Sequence, residues 1–305
     1  MSAPRLGIAI PFYRGLGYLR EAIESVRGQT RGDWRLLVCD DRGEPDPAAA
    51  RSLVASFGDP RIAYAANDAN LGMVGSWNRC LDLAETELVT LLHADDRLLP
   101  RYAETVLAVA ESFPEAAAVF CAAEIIGPSG ERRFSLADVS KALFAPRGAG
   151  PLLLRGEPAL RALAAGNFIM CPTLCFRRSV LGARRFDPRW RQVQDLALTA
   201  RLLLEGASLV GSREAAYAYR RHPESATERQ SETLLRFEEE LALLAELAGA
   251  ARERGWERAA RVAARAWTPK LHLAYRALGD AVRGRPRDAA AKLRFLARSW
   301  SMLSR

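Results

Sequence analysis

The chain has 305 residues, of which 49% are hydrophobic and 26% are charged, a composition typical of a folded globular protein and not of a disordered one. No apolar run reaches the roughly 18 to 20 residues that span a bilayer. The net charge of +8 is uneven, because residues 251–305 carry 14 basic and 4 acidic side chains. Since no long apolar signal core precedes the first predicted strand, we expect a cytoplasmic protein.

Short apolar runs alternate with helix-periodic stretches through the first 126 residues. The strands are predicted at Leu6–Ile10, Trp34–Cys39, Ile62–Ala65, Leu88–Leu92 and Ala117–Ala122. The helices between them are predicted at Tyr18–Gln29, Ala48–Phe57, Met73–Ala84 and Pro100–Ser112. This alternation predicts an α/β fold with a doubly wound, mostly parallel sheet. In such sheets ligands bind beyond the carboxyl ends of the strands.

The pattern changes after Ile126, where turn signals surround weakly patterned segments. A helix is predicted at Gln194–Glu205, followed by a short strand at Ala207–Gly211 and a loop that runs through Arg220 to His222. From residue 231 onward the chain is rich in Ala, Leu and Arg and is predicted to be helical. We therefore expect three segments: a nucleotide-binding half at 1–126, an acceptor-binding half at 127–228 and a basic helical extension at 229–305.

Two adjacent carboxylates, Asp95 and Asp96, follow the fourth predicted strand. Burying such a pair is costly unless a cation neutralises it, and Mg²⁺ and Mn²⁺ favour a few carboxylates together with phosphates and water. The alternative is that one aspartate caps the helix that follows Pro100. His93 is expected to pack or to form a local hydrogen bond.

Further polar positions follow the first three predicted strands. Asp41 ends the second strand and can accept hydrogen bonds from a base or a ribose, or can belong to a simple turn. Tyr13 follows the first strand and can stack on a base or lie on the surface. The segment that begins at Asn70 and Gly72 opens a helix with glycines, which allow backbone to approach a phosphate closely.

The order and spacing of these motifs resemble glycosyltransferase family 2, from Leu6 to about Thr227 of the chain. The resemblance is carried by Ile10-Pro11-Phe12-Tyr13, Val38-Cys39-Asp40-Asp41, Asn70-x-Gly72 with Asn78, Asp95-Asp96, Cys171-Pro172-Thr173 before Phe176, Gln194-Asp195 and Arg220-x-His222-x-x-Ser225-x-Thr227. It implies the GT-A fold and an inverting transfer of a sugar from a nucleotide-sugar donor to a hydroxyl acceptor. Cell-surface polysaccharide or glycoconjugate synthesis would be the setting, with a saccharide or a lipid-linked saccharide as acceptor.

The resemblance also implies roles on the nucleotide side. Tyr13 and Asp41 would hold the base, and Pro11 would shape that pocket. The N-x-G segment and its helix would contact the nucleotide through Asn70, Gly72 and Asn78. One departure stands out, because Trp77 occupies a place where the family often has arginine, so the residue that contacts the nucleotide there is left open.

The remaining implied roles concern the reaction. Asp95 would contact the ribose or the metal, and Asp96 would be the principal ligand of a Mg²⁺ or Mn²⁺ ion that bridges the donor diphosphate. His222 and its neighbouring arginines would lie near the diphosphate or the metal, with His222 as a metal ligand. Asp195 would be the base that deprotonates the acceptor hydroxyl, its alternative being a cap for the helix that it begins.

Two rival functions stay open from the residues alone. A sugar-phosphate nucleotidyltransferase would place a glycine-rich basic loop after the first strand, where only Arg14-Gly15-Leu16-Gly17 is found. A nucleic-acid-binding protein would suit the basic tail, but no recognition motif supports it and no nucleic-acid partner is expected. The tail itself either packs on the catalytic domain or rests on an anionic membrane. Its apolar residues are Leu271, Leu278, Leu293, Leu296, Trp300 and Leu303.

Overall fold

The computed structural model describes residues 4–43, 46, 48–134, 144–146, 148–222 and 234–302. Within these residues the strands join into one sheet. They are β1 Leu6–Phe12, β2 Trp34–Asp40, β3 Ile62–Ala66, β4 Leu88–Leu91, β5 Arg97–Leu98, β6 Ala116–Ile126, β7 Leu152–Arg155, β8 Cys175–Arg177 and β9 Ser208–Arg220.

The helices of the first two thirds flank this sheet, and the C-terminal third is helical throughout its described part. They are α1 Leu16–Arg27, α2 Ala49–Ala55, α3 Gly72–Leu83, α4 Tyr102–Ser112, α5 Gly156–Ala165, α6 Arg178–Leu181, α7 Gln194–Leu204, α8 Leu235–Glu253, α9 Glu257–Arg265, α10 Trp267–Val282 and α11 Pro286–Met302. A short 3-10 helix covers Cys171–Thr173.

The strand order is β3-β2-β1-β4-β8-β6-β9-β5, with β7 paired to β9. The first four strands in this order are parallel to one another, whereas β8 runs antiparallel to both β4 and β6. The doubly wound, mostly parallel α/β sheet expected from the sequence is therefore confirmed. It brings the carboxyl ends of β1, β2 and β4 to one edge, beside the carboxyl end of β9.

Each face of the sheet carries its own apolar core, because successive side chains of a strand point to opposite faces. On β1, Ile8 and Ile10 pack with the helices α1, α2 and α4, while Ala9 belongs to the core on the other face. That second core includes buried residues of α3, α5 and α7 and extends into α8 and α9. The sheet is thus covered on both sides, as a parallel sheet requires.

Strand β9 differs from its prediction, because it does not stop at Gly211 but continues to Arg220. Exposed polar residues at 212–214 interrupt the apolar pattern, and the pairing of β6 with β9 is irregular beside them. The polar interruption is a local irregularity within one strand, and pairing with β6 resumes beyond it. As a result the strand, not a loop, carries the segment up to Arg220.

The C-terminal helices divide into two parts. Helices α8 and α9 contribute Leu243, Leu247 and Ala260 to the core of the main sheet. Helices α10 and α11 form a hairpin, which is joined by a buried ion pair between the Lys292 ammonium and the Asp280 carboxylate at 2.6 Å. None of the helices in the described ranges is both long and apolar enough to cross a membrane.

Candidate active site

The turn after β4 holds two adjacent aspartates in different environments. The Asp96 side chain is fully buried, its Oδ1 accepts the Arg220 backbone N–H at 2.7 Å and its Oδ2 accepts the Tyr217 hydroxyl at 2.9 Å. Burial and the neighbouring Asp95 carboxylate raise the pKa of Asp96 well above its usual value, although both hydrogen bonds oppose this. Through these two hydrogen bonds Asp96 connects the turn after β4 to strand β9.

Asp95 lies at the mouth of the same turn, with about a third of its side chain exposed. Its Oδ2 is 3.0 Å from Nε2 of His222, which follows β9 by two residues. Burial acts to raise the pKa of Asp95, but the hydrogen bond to His222 and the nearby imidazoles outweigh it, so this pKa is lowered. Asp95 is thus an ionised carboxylate paired with an imidazole, and both groups are ligands of divalent metals.

His93 completes the cluster at this turn. Its ring stacks on Trp77 with centroids 5.1 Å apart, as expected for a packing residue, and its Nδ1 is 3.7 Å from Asp96 Oδ2. One ligand atom each from His93, Asp95 and Asp96 lies within 4.8 Å of the others. Burial lowers the pKa of His93, so a neutral imidazole faces the two carboxyl groups. Three potential ligands in so small a space fit a divalent cation.

The Arg220 side chain is fully buried and makes its hydrogen bonds within the protein. Its guanidinium donates to the backbone carbonyls of Asp95 at 2.6 Å and Pro128 at 2.6 Å, and it pairs with the Glu21 carboxylate. Arg220 thus lies against the aspartate turn, and its donors hold that turn, so its side chain is not presented to a diphosphate. The Ser225 and Thr227 positions of the same motif lie outside the described residues.

Asp195 stands in the first turn of α7, half-buried, and its Oδ2 accepts the amide N–H of Asn167 at 3.1 Å. Burial raises the pKa of the Cys171 thiol, and the charges of Asp195 and Asp96 raise it further. The 3-10 helix that carries Cys171 contacts β4, the strand that leads into the aspartate turn. The charges of Asp195 and Asp96 thus act on one thiol, although 99 residues of sequence separate the two aspartates.

Two amide oxygens next to Asp195 lack partners within the described part of the chain. Oε1 of Gln194 and Oδ1 of Asn167 are both buried and accept no hydrogen bond there. Buried polar atoms are rarely left unpaired, and an unpaired one often marks a site that another molecule completes. Nothing in the local sequence around Asn167 indicated that its side chain contacts Asp195, so the sequence analysis did not identify Asn167.

Asp41 is buried at the carboxyl end of β2. Its Oδ1 accepts the Asn67 amide at 2.8 Å and the Leu71 backbone N–H at 2.8 Å. Tyr13 lies close by at the end of β1 and is 49% exposed, and Pro11 is half-buried within β1. A side chain at Gly43 would come within 2.1 Å of Tyr13, so only glycine fits there. The structure therefore gathers three of the residues predicted to hold the base.

Asn70 and Gly72 shape the loop that enters α3. The Asn70 amide donates to the Asp41 carbonyl at 3.0 Å, while its Oδ1 accepts the Gly72 backbone N–H at 3.0 Å. Gly72 has a φ of 70°, a conformation that side-chain-bearing residues rarely adopt. These two residues lie beside the predicted base pocket, where they hold the loop next to Asp41.

The Asn78 side chain makes two hydrogen bonds to the backbone of Phe186. Its Nδ2 donates to the Phe186 carbonyl at 2.8 Å and its Oδ1 accepts the Phe186 backbone N–H at 2.9 Å. Both ends of the amide therefore bind backbone within the protein, which favours a positioning role for Asn78, and its contact with the nucleotide stays a prediction. Trp77 is buried between His93 and Phe186, so it packs as well, whereas Arg79 is exposed.

Comparison with known proteins places this arrangement in a family. The model of "Glycosyl transferase family 2" matches residues 7–182, more than half of the chain. The chain therefore belongs to glycosyl transferase family 2 and is a glycosyltransferase, as the motifs had indicated.

Among relatives, EpsE of Bacillus subtilis (strain 168), provisionally named a glycosyltransferase, is 25% identical over 72% of this chain and 74% of its own length. The Escherichia coli enzyme WfgD, a UDP-Glc:alpha-D-GlcNAc-diphosphoundecaprenol beta-1,3-glucosyltransferase, is 33% identical over 30% of this chain and 35% of its own. These alignments cover different shares of the chain, so the relatives' substrates do not carry over directly.

Among solved structures, residues 1–349 of S. aureus TarS in complex with UDP-GlcNAc superpose with a TM-score of 0.61 at 15% identity. That match covers 81% of this chain and 66% of the TarS fragment. The mannosyltransferase PcManGT from Pyrobaculum calidifontis, in complex with GDP-Man and Mn²⁺, has a TM-score of 0.56 at 15% identity and covers 99% of this chain and 84% of its own. Both likenesses show the shared GT-A fold.

Proposed function

We propose that this glycosyltransferase moves a sugar from a UDP-, dTDP- or GDP-sugar to a hydroxyl of a saccharide or lipid-linked saccharide, with inversion at the anomeric carbon. The setting would be the synthesis of a bacterial cell-surface polysaccharide or glycoconjugate. The observation that carries the proposal is the Asp95–His222 pair after β4, at the sheet edge that also carries Asp41 and Tyr13 after β2 and β1. A donor bound along this edge would have its base and its diphosphate at opposite ends.

The base end is supported by one exposed aromatic ring and one buried carboxylate. The Tyr13 side chain is 49% exposed, which leaves part of its ring available for stacking. Asp41 accepts hydrogen bonds from Asn67 and Leu71 through Oδ1, and these two bonds fix the carboxylate in place. A fixed carboxylate suits recognition of N–H or O–H donors on a base or ribose, because little conformational entropy of the Asp41 side chain is lost on binding.

For the metal we propose a division of roles that differs from the sequence-based hypothesis. Asp96, expected there as the principal ligand, has each oxygen engaged by a buried donor from β9. Asp95 is ionised, partly exposed and paired with His222, so these two residues are proposed to hold Mg²⁺ or Mn²⁺. When bound, such an ion would neutralise the charge of the departing diphosphate. The relevance of metal is supported by the PcManGT complex with Mn²⁺.

Asp195 is proposed as the general base. Its carboxylate is oriented by Asn167 at 3.1 Å and stands in the first turn of α7. A base there would take the proton from an acceptor hydroxyl as that oxygen bonds to the anomeric carbon and the bond from that carbon to the diphosphate breaks. A single displacement needs one such base and gives inversion.

The acceptor proposal is supported by relatives. WfgD is named for a diphosphoundecaprenol-linked acceptor, and so is a 33% identical Campylobacter jejuni beta-1,3-glucosyltransferase, which acts on GalNAc(5)-diNAcBac-PP-undecaprenol. Both matches cover about a third of this chain. We therefore propose a lipid-linked saccharide as the acceptor class.

One experiment tests the donor and the base together. Thermal shifts with UDP, dTDP and GDP, each with and without Mn²⁺, should identify one nucleotide whose stabilising effect depends on the metal. With the sugar donor so identified, Asp195→Asn should lower turnover by about 10² to 10⁴ while nucleotide affinity is kept. Asp82→Asn, a half-exposed carboxylate paired with Arg185, is the matched control and should change neither. Turnover of Asp195→Asn within about tenfold of the parent would contradict the base assignment.

A further inference from the structure

Helix α10 exposes a continuous apolar stripe. Its large hydrophobic side chains on the outside are between 49% and 81% exposed, and they are Trp267, Leu271, Tyr275, Leu278 and Val282. Three of them, Trp267, Tyr275 and Val282, were not among the apolar tail residues expected from the sequence. Large exposed apolar patches mark interaction sites, because a soluble surface rarely tolerates them.

The five side chains share one face of the helix. At about 100° per residue they fall within an arc of about 80°, and from first to last they extend about 22 Å along the axis. The buried residues Leu273 and Ala277 lie on the far side of the helix, where α10 packs on the rest of the protein. The stripe is therefore separate from the buried face through which α10 packs on the protein. Packing within the described residues does not account for its exposed apolar side chains.

The hairpin that carries the stripe is basic. The hairpin of α10 and α11, residues 267–302, carries eight basic and two acidic side chains, a net charge of +6. Arg283 and Arg285 are exposed in the turn that directly follows Val282, the last residue of the stripe. An apolar face that ends at two exposed arginines fits a surface that is apolar beneath an anionic layer.

The hairpin presents these groups as one rigid unit. The Lys292–Asp280 pair is buried between the helices, and Gly284, with a φ of 72°, ends α10 at the turn. The Arg285 backbone N–H returns to the Asp280 carbonyl at 2.8 Å, which fixes the turn. The stripe and the arginines are therefore ordered before any partner binds, so binding would cost little conformational entropy.

We propose that the α10 stripe and the arginines of the α10–α11 hairpin dock the protein onto an anionic phospholipid surface, with α10 lying in the plane of the interface. Trp267 and Tyr275 suit this position, because aromatic rings with one polar group prefer the interfacial layer. A second copy of the chain is the weaker occupant, since two hairpins of net charge +6 repel each other. The inference that docking brings the enzyme to a lipid-linked acceptor rests on the proposed function. The docking itself does not depend on that function.

The test is vesicle flotation of the full chain. Phosphatidylcholine vesicles containing phosphatidylglycerol should bind the protein, and pure phosphatidylcholine vesicles should bind it much less. The double variant Leu271→Ser with Leu278→Ser should reduce binding by at least tenfold, since each loses an interfacial leucine side chain. Arg283→Gln and Arg285→Gln should each reduce it about fivefold, an effect that weakens at high salt. The control is Leu153→Ser on β7, a 52% exposed leucine outside the hairpin.

Each of the following outcomes decides whether the stripe docks on an anionic phospholipid surface. Absence of the full chain from anionic vesicles, or unchanged flotation of the double leucine variant, overturns the proposal. Sedimentation that shows a dimer lost only in the leucine variant identifies the stripe as a contact between copies and also overturns it. Melting temperature and metal-dependent nucleotide binding are measured on every variant, and both should match the parent. If no nucleotide binds while flotation behaves as expected, the proposed function fails and the membrane surface stands.

Discussion

The two adjacent aspartates after β4 should respond oppositely to mutation. Asp96→Ala removes the acceptor of two buried donors, the Arg220 backbone N–H and the Tyr217 hydroxyl. Leaving a buried donor unpaired costs about 1 to 3 kcal/mol, so the free energy of unfolding should fall by about 2 to 6 kcal/mol. Against a typical total of about 5 to 15 kcal/mol this is a large loss, and the variant is expected to be severely destabilised. The sequence-based hypothesis instead expected the fold to stay intact.

Asp95→Asn should leave the stability nearly unchanged but should affect metal binding. Its side chain is partly exposed and pairs with His222, so the free energy of unfolding should change by less than about 1 kcal/mol. Loss of the ionised oxygen should, however, remove the Mn²⁺ dependence of nucleotide binding. Asp96→Asn serves as the intermediate case, because its amide oxygen can still accept the Arg220 N–H and its amide N–H can donate to the Tyr217 oxygen.

The measurements are urea unfolding followed by circular dichroism, and calorimetric titration of the nucleotide with and without Mn²⁺. The reasoning is refuted by the opposite pattern: Asp96→Ala unfolds at the parent's urea midpoint but has lost metal dependence, and Asp95→Asn keeps it. That result would restore Asp96 as the principal metal ligand.

Two further predictions concern stability. Asn78→Ala should lower the free energy of unfolding by about 2 kcal/mol, because the Phe186 backbone loses both partners, yet nucleotide affinity measured by calorimetry should stay unchanged. The bond from Arg61 lowers the pKa of Asp59 from 3.8 to about 2, so the ionised carboxylate stabilises the fold at neutral pH and this contribution is lost as the pH falls through that window. Asp59→Asn should therefore cost about 2 kcal/mol at pH 7 and progressively less below pH 4, as urea midpoints across this range would show. A cost that does not change with pH would contradict this origin.

Much of the fold followed from the sequence because its first half is regular. Buried parallel strands appear as short apolar runs, and their ends are marked by polar residues such as Asp41 and Asp95. Strand β9 was underestimated because its exposed polar residues at 212–214 look like a loop, and only the pairing with β6 shows that the strand continues. Helix α5 and strand β7 lay in the weakly patterned segment and were not predicted.

The individual roles in the site were harder to predict for a physical reason. Asn78 binds backbone 108 residues away, and no local pattern encodes such a contact. Arg220 looks like a phosphate ligand in the sequence, but its environment of carbonyls and the Glu21 carboxylate uses its donors internally. A motif therefore identifies which residues gather at the sheet edge, whereas the packing decides which of them keep a free functional group.

The aspartate turn shows how a structural residue can set the geometry of a functional one. Asp96 binds the Arg220 backbone at 2.7 Å, and His222 follows Arg220 by two residues. Anchoring that end of β9 to the turn therefore also sets where His222 meets Asp95, at 3.0 Å. The environments push the two pKa values apart, up for Asp96 and down for Asp95, so adjacent identical side chains become a buried anchor and an ionised carboxylate, which is the metal ligand we propose. By this reasoning, any loss of metal binding in an Asp96 variant arises through displacement of the Asp95–His222 pair.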